Sequence, residues 1–236
     1  MPAQEFEGRV AIVTGASSGI GRATAEMLVE RGAMVSIFAR SAGKLKSLAR
    51  KHEGRMLAVP GDVSVPKSVE RLFAETESRF GRCDILINDA GTFVNKRIER
   101  MTERDWDRVF AVNVRGAFLT TRRAVKNMIP KRSGAIVNVS SISGVIGPEK
   151  FPGYSAYCAS KAALISFTES LAVELKEHGI RVNCVSPGSV DTPMWAAVGG
   201  GAPADMTAAE VAEVILFLAS ERSRPINGQN IDVYSA

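Results

Sequence analysis

The stretch Val10-Ala11-Ile12-Val13-Thr14-Gly15-Ala16-Ser17-Ser18-Gly19-Ile20-Gly21-Arg22 decides how the rest of the chain is read. Its first five residues form a short apolar, largely β-branched run, the signature of a buried strand. The run stops at Gly15 and a helical spacing takes over, with Ile20, Ala23, Met27 and Leu28 recurring until Gly32. Each glycine has its own use. Gly15 permits a sharp turn off the strand, Gly19 lets the backbone approach a diphosphate, and Gly21 lets the helix pack against the sheet. The helix start then turns unpaired N–H groups and a partial positive charge toward whatever lies in front of the turn. Between the first strand and the first helix of a β-α-β unit, such a triplet marks a dinucleotide site.

The same alternation continues along the chain. Apolar runs recur at Met34–Phe38, Met56–Val59, Ile85–Asn88, Ala135–Ser140, Val182–Val185 and Asn230–Tyr234. Most are apolar at consecutive positions, which fits strands covered on both faces. Pro66–Phe80 carries Val69, Leu72, Phe73 and Phe80 at helical spacing and is closed by Gly81. Strand, helix, strand, helix to the end predicts a doubly wound α/β fold. Without a linker rich in Pro, Gly or Ser, residues 1–236 are expected to form one domain, with a short substrate loop around 190–207 that includes Gly199–Ala204 (GGGAPA). Two stretches, Phe110–Ile129 and Tyr157–Lys176, are too apolar for one-sided surface helices and predict a subunit interface.

Composition narrows the function classes. The 236 residues are 45% hydrophobic and 23% charged, which excludes a disordered chain, a collagen or a small disulfide scaffold. No uncharged apolar run reaches the ~18 residues of a membrane helix, and Met1–Gly8 lacks the apolar core of a secretory signal. Cys83, Cys158 and Cys184 are far apart, so reduced thiols and a cytoplasmic location are expected. The net charge of +5 is concentrated in Lys96–Arg132, where eleven Lys or Arg face four acids. That stretch is either a solvated face or an attractor of phosphates and acidic proteins. Without zinc-finger spacing or an aromatic RNA-binding strand, nucleic acid is not expected as a partner.

Tyr157 and Lys161 lie four residues apart in the second apolar stretch, hence on one helix face. A lysine cation beside a phenol stabilises the phenolate, and bringing a tyrosine from about 10 to about 7 needs about 4 kcal/mol. Such a tyrosine exchanges protons with a substrate oxygen. Ser140 and Ser141 close an upstream strand, where a hydroxyl faces the ligand cleft of an α/β fold and polarises a carbonyl. There is no GxSxG elbow, and His52 and His178 are the only histidines, so neither a serine hydrolase nor a metal site is expected. At the end of the second strand stands Arg40 rather than an acid. Its donor fork suits a 2′-phosphate, predicting NADP(H) over NAD(H), the alternative being stacking on adenine. Asp62 and Val63, after the third strand, are placed for the adenine amine, or Asp62 serves as a turn residue.

Taken together, TGASSGIG, NDAG at Asn88–Gly91, Asn113, the paired serines, YCASK and SPGSVDTP resemble the short-chain dehydrogenases/reductases over nearly the whole chain. The resemblance implies a Rossmann-type seven-stranded parallel sheet and hydride transfer between nicotinamide and a carbonyl or alcohol carbon. It implies Tyr157 as general acid/base, Lys161 as its tuner and holder of the nicotinamide ribose, Ser141 as the group orienting the carbonyl, and Asn113 as holder of a water relaying protons to Lys161. It assigns the cofactor to Gly15, Ser17, Ser18, Gly19, Ile20, Gly21, Arg40, Asp62, Val63, Asn88, Ala90, Gly91, Tyr157 and Lys161. Pro187 and Gly188 are to shape the nicotinamide pocket, which Val190 and Thr192 contact. A homotetramer or homodimer is implied through the two apolar helices. Within the family the chain resembles 3-oxoacyl-carrier-protein reductases, with a thioester on an acidic carrier as substrate. The alternatives are a sugar or polyol dehydrogenase and a non-catalytic nicotinamide-binding sensor. The chain departs from the pattern at Asp89, where the family has Asn, in a short Met194–Thr207 segment expected to leave an open cleft, and in a tail lacking Asp-Gly-Gly.

Overall fold

The computed structural model describes residues 4–148 and 150–234. Seven strands form one parallel sheet: β1 (Val10–Thr14), β2 (Met34–Ala39), β3 (Met56–Pro60), β4 (Ile85–Asn88), β5 (Gly134–Val139), β6 (Ile180–Pro187) and, last in the chain, β9 (Asn230–Val233). Their order is β3-β2-β1-β4-β5-β6-β9, so the winding reverses between β1 and β4. Ligands of such sheets sit at that switch point, beyond the strands' carboxyl ends. The seven predicted runs all appear here, with ends shifted by up to two residues. Between the sixth and last sheet strands lie two more, β7 (Val190–Asp191) and β8 (Met206–Thr207), which pair with each other in parallel.

The consecutive apolar residues divide between two layers. Ala11, Val13, Ile85, Ile87, Val137 and Val139 face α1 (Gly19–Glu30), α2 (Ala42–Lys51) and α8 (Ala208–Ala219). Ile12, Leu86, Ile136 and Val182 face the opposite layer, which holds α3 (Pro66–Phe80), α5 (Gly116–Met128) and α6 (Ser155–Glu174). Neither face meets water, so the strands need no polar alternation. Gly81 ends α3 in the left-handed conformation, as its position predicts (φ 83°).

The predicted helix Phe110–Ile129 is interrupted. α4 (Glu103–Phe110) runs into one π-helical turn, Ala111–Arg115, before α5 begins. The wider turn faces Asn113 inward, where it is 2% exposed. A short helix, α7 (Pro193–Val198), follows β7 over the mouth of the switch point. Among the described residues no helix is long and apolar enough to cross a membrane.

The basic surplus of Lys96–Arg132 is partly neutralised by folding. Lys96 pairs with Asp105, Arg123 with Glu70 and Glu77, and Lys131 with Asp84. Arg97, Arg100, Arg104 and Arg108 make no ion pair among the described residues, and neither do Glu99, Glu103 and Asp107 between them, so this stretch is an exposed, mixed-charge face with a slight positive excess.

Candidate active site

A buried polar ladder holds the cleft's framework in register. The Asn88 side-chain amide donates to Asn138 Oδ1 at 2.9 Å and to Thr121 Oγ1 at 3.2 Å, while Thr120 Oγ1 donates to Asn88 Oδ1 at 2.7 Å. Asn138 donates onward to Thr168 Oγ1 at 2.8 Å. β4, β5, α5 and α6 are thereby tied at one level, and every member is satisfied, which a buried network needs in order to stabilise. The Asn88 side chain therefore braces the framework instead of reaching into the cofactor cleft. Its polar atoms are spent inside the fold.

α6 carries Tyr157 and Lys161 into the cleft. Lys161, 4% exposed, donates through Nζ to the Val139 carbonyl at 2.7 Å, and Nζ lies 5.6 Å from the centre of the Tyr157 ring. Burial lowers the Lys161 pKa, and the Asp89 charge works in the other direction. The Tyr157 phenol is pushed up to about 12 by burial, against the pull of the Ser141 hydroxyl, with the Asp89 charge adding to the rise. In the free chain desolvation therefore dominates, in the direction opposite to the lowering expected beside a lysine and a nicotinamide cation.

The two serines separate cleanly. Ser140 Oγ donates to the Lys161 carbonyl at 2.8 Å and braces α6. Ser141 accepts from Ser143 N at 3.2 Å and is the hydroxyl that acts on the phenol. The turn after it presses directly on α6. A Cβ at Gly144 would stand 2.6 Å from the Lys161 carbonyl carbon and 2.7 Å from Ala162 N, so the hydroxyl and the Tyr–Lys pair are spaced by main chain against main chain.

Asn113 is a brace in this arrangement. Its amide bonds to both the N–H and the C=O of Thr92, at 2.8 and 3.0 Å, and donates to Ser160 Oγ at 2.9 Å. With both amide groups held by protein partners, the side chain fixes the π-helical turn in place.

From the reacting groups the cleft, about 330 Å³, runs past Ala90, Gly91 and Thr192 to the glycine turn and ends at Arg40, Ser41, Asp62 and Val63. Gly15 and Gly19 take positive φ (73° and 57°). A methyl on Gly19 would meet the Thr192 side chain at 3.0 Å. The helix start fits an anion: Ser18, the N-cap of α1, makes no side-chain cap, and no acid stands in the first turn. Arg40 is exposed at the far end, with its fork free for a phosphate. Asp62 Oδ1 accepts from both Ser64 N and Ser64 Oγ, which makes it a turn residue first. Pro187 ends β6 and Val190 starts β7, with the Val190 side chain buried in the core.

Three aromatic residues that the motifs did not single out stand beside Tyr157. Phe93 packs edge-on against both Tyr157 and Tyr154, with centroids 5.0 and 4.6 Å away, and Phe151 leans on Tyr154 at 5.5 Å. Tyr154 donates to the Val198 carbonyl at 3.3 Å, tying this wall to α7. The short segment beyond is fastened to itself. Trp195 Nε1 donates to Ala202 O at 3.0 Å, Ser189 Oγ to Asp205 at 2.5 Å, and β8 returns to β7. An aromatic wall has no periodic signal in sequence. Only the tertiary approach of Phe93 to α6 reveals it.

A family model described as short chain dehydrogenase matches residues 9–201. The chain is 38% identical to the 3-oxoacyl-[acyl-carrier-protein] reductase FabG of Thermotoga maritima, covering 97% of both chains. It is 37% identical to Nodulation protein G of a Rhizobium species, covering 97% of this chain and 96% of that one. Among solved structures it resembles a 3-ketoacyl-(acyl-carrier-protein) reductase from Brucella melitensis complexed with NADH, with TM-score 0.89, 30% identity and 97% of both chains covered.

Proposed function

The chain belongs to the short-chain dehydrogenases, NAD(P)-dependent oxidoreductases acting on CH–OH and C=O groups, and we propose that within them it is an NADP(H)-dependent reductase of 3-oxoacyl thioesters. The observation that carries the reading is the Tyr157–Lys161 pair, with the Ser141 hydroxyl acting on the phenol, in a cleft that Arg40 also lines. The bound nicotinamide supplies the hydride. The chain's own groups handle the oxygen and its proton. Ser141 donates a hydrogen bond to the substrate carbonyl, favouring the charge that develops there. Tyr157, kept protonated in the free protein by burial, gives its proton to that oxygen in the reduction direction. Lys161, held by Val139 O, keeps a cation beside the phenolate left behind.

The aromatic wall of Phe93, Phe151 and Tyr154 supports an acyl chain over a polyol, because it offers apolar surface rather than hydrogen-bond partners next to the reacting phenol. Arg97, Arg100, Arg104 and Arg108 suit an acidic carrier bearing the thioester. The names of the relatives from Thermotoga maritima and Brucella melitensis agree with this substrate class. A homotetramer or homodimer through the exposed apolar residues of α5 and α6, Phe118 and Val173, completes the proposal.

The test is NADPH oxidation across acetoacetyl thioesters, diketones and sugars. Thioesters are expected to react best, and Tyr157→Phe to lose about 10²–10⁴-fold in turnover while still binding NADPH. Equal or better use of sugars would overturn the substrate class. NADPH binding without oxidation of any carbonyl would make the protein a sensor.

A further inference from the structure

The cleft holds one carboxylate that the proposed chemistry does not use. Asp89 directly follows β4, and its N–H donates to Thr14 Oγ1 of β1 at 3.1 Å. Its side chain reaches beneath the glycine turn. A methyl built on Gly21 would stand 2.5 Å from Asp89 Oδ2, and one on Gly15 would stand 2.9 Å from the same oxygen. The carboxylate fills the notch these two glycines leave. Gly21 thus packs against the Gly15 main chain at the end of β1, as expected, and also leaves room for the Asp89 side chain. There the carboxylate lies against the first turn of α1, where the Gly21 main chain favours its charged form and the N-cap makes no side-chain cap. Asp89 also lines the cleft itself.

The groups acting on it come from each neighbouring element. β1 offers neutral Thr14, and the turn and α1 offer Gly15 and Gly21. α6 offers Lys161, whose cation favours the ionised carboxylate, and Tyr157, whose ionisation the carboxylate opposes. We propose that Asp89 is a positioning residue that caps α1 from β4 and couples dinucleotide binding to the uptake of one proton. This rests on the dinucleotide reading of the cleft. A bound diphosphate takes its hydrogen bonds from the same helix start, so an ionised carboxylate in the adjoining notch is a like charge in a poorly solvated place. Protonation removes that repulsion.

The direction of the linkage follows. Burial already raises Asp89 to about 6 in the free protein. At pH 7.5 the free carboxyl is mostly ionised; a diphosphate bound against α1 raises its pKa further, so binding is expected to take up a proton. Affinity rises as pH falls from the bound-state pKa to the free value of about 6 and then levels off.

The experiment is titration calorimetry of the full chain with NADPH at pH 7.5, in buffers of different ionisation enthalpy, for wild type and Asp89→Asn. Asparagine keeps a polar side chain against the Gly21 main chain and loses the charge. The 2′-phosphate titrates alike in both, so the difference isolates position 89. Wild type is expected to take up roughly half to one proton more per NADPH than the variant. Its Kd is expected to weaken by up to about tenfold more between pH 6.5 and 8. A merely structural role would not move the proton count. Equal counts overturn the proposal. Zero uptake by wild type at pH 7.5 and 8 overturns it without any variant, should Asp89→Asn fail to fold. Binding by neither folded protein would instead overturn the dinucleotide reading.

Discussion

Tyr157 and Arg40 show how much one side chain's surroundings decide. The phenol sits in a half-closed aromatic pocket, so its proton stays on at neutral pH and is available to a carbonyl oxygen. Arg40 is exposed at the opposite end, where its charge meets whatever the adenosine ribose carries. Arg40→Asp sets a carboxylate against a 2′-phosphate, and NADPH affinity is expected to fall about tenfold to a hundredfold, or ~1.4–2.8 kcal/mol. NADH affinity should hold or improve in the same fluorescence titration. An unchanged NADPH Kd would refute the assignment of the phosphate to this arginine.

Helices and strands here are held by their ends as much as by their faces. Thr207 closes β8 and starts α8 with a capping box, its hydroxyl accepting from Glu210 N while Glu210 accepts from Thr207 N at 2.7 Å. Thr207→Ala is expected to cost about 1 kcal/mol and to lower Tm by about 2–4 °C in a thermal melt. No change in Tm would show that the box contributes nothing.

The sheet strands were legible because burial on both faces leaves consecutive β-branched residues, a pattern visible without partners. β7 and β8 were not, since two residues carry no period. The π-helical turn was hidden for a similar reason: Phe110–Ile129 reads as one apolar helix, and the extra residue is evident only once Asn113 meets Thr92 and Ser160. Tyr157 and Lys161 were legible from their four-residue spacing. The destinations of Asn88, Asn113 and Asp89 were not, because each depends on a neighbour far away in sequence.

For the molecule as a whole, the two-layered sheet leaves Phe118 and Val173 exposed on α5 and α6, with Arg122 lying over the Phe118 ring at 5.3 Å. If these residues bury against another copy, Phe118→Glu places a charge in an apolar contact. Analytical ultracentrifugation is expected to show a smaller assembly than wild type at the same concentration. A wild-type monomer, or an unaltered assembly in the variant, would rule this face out. The contact at Gly144 has a wider consequence. Because the chemistry's spacing depends on a missing side chain beneath Ser141, the segments outside that contact are free to diverge. Phe93, Phe151, α7 and the loop to β8 can be exchanged to admit other carbonyl compounds while proton delivery stays in place. For an engineer, the specificity of this protein is a replaceable part and Gly144 is the hinge pin to leave alone.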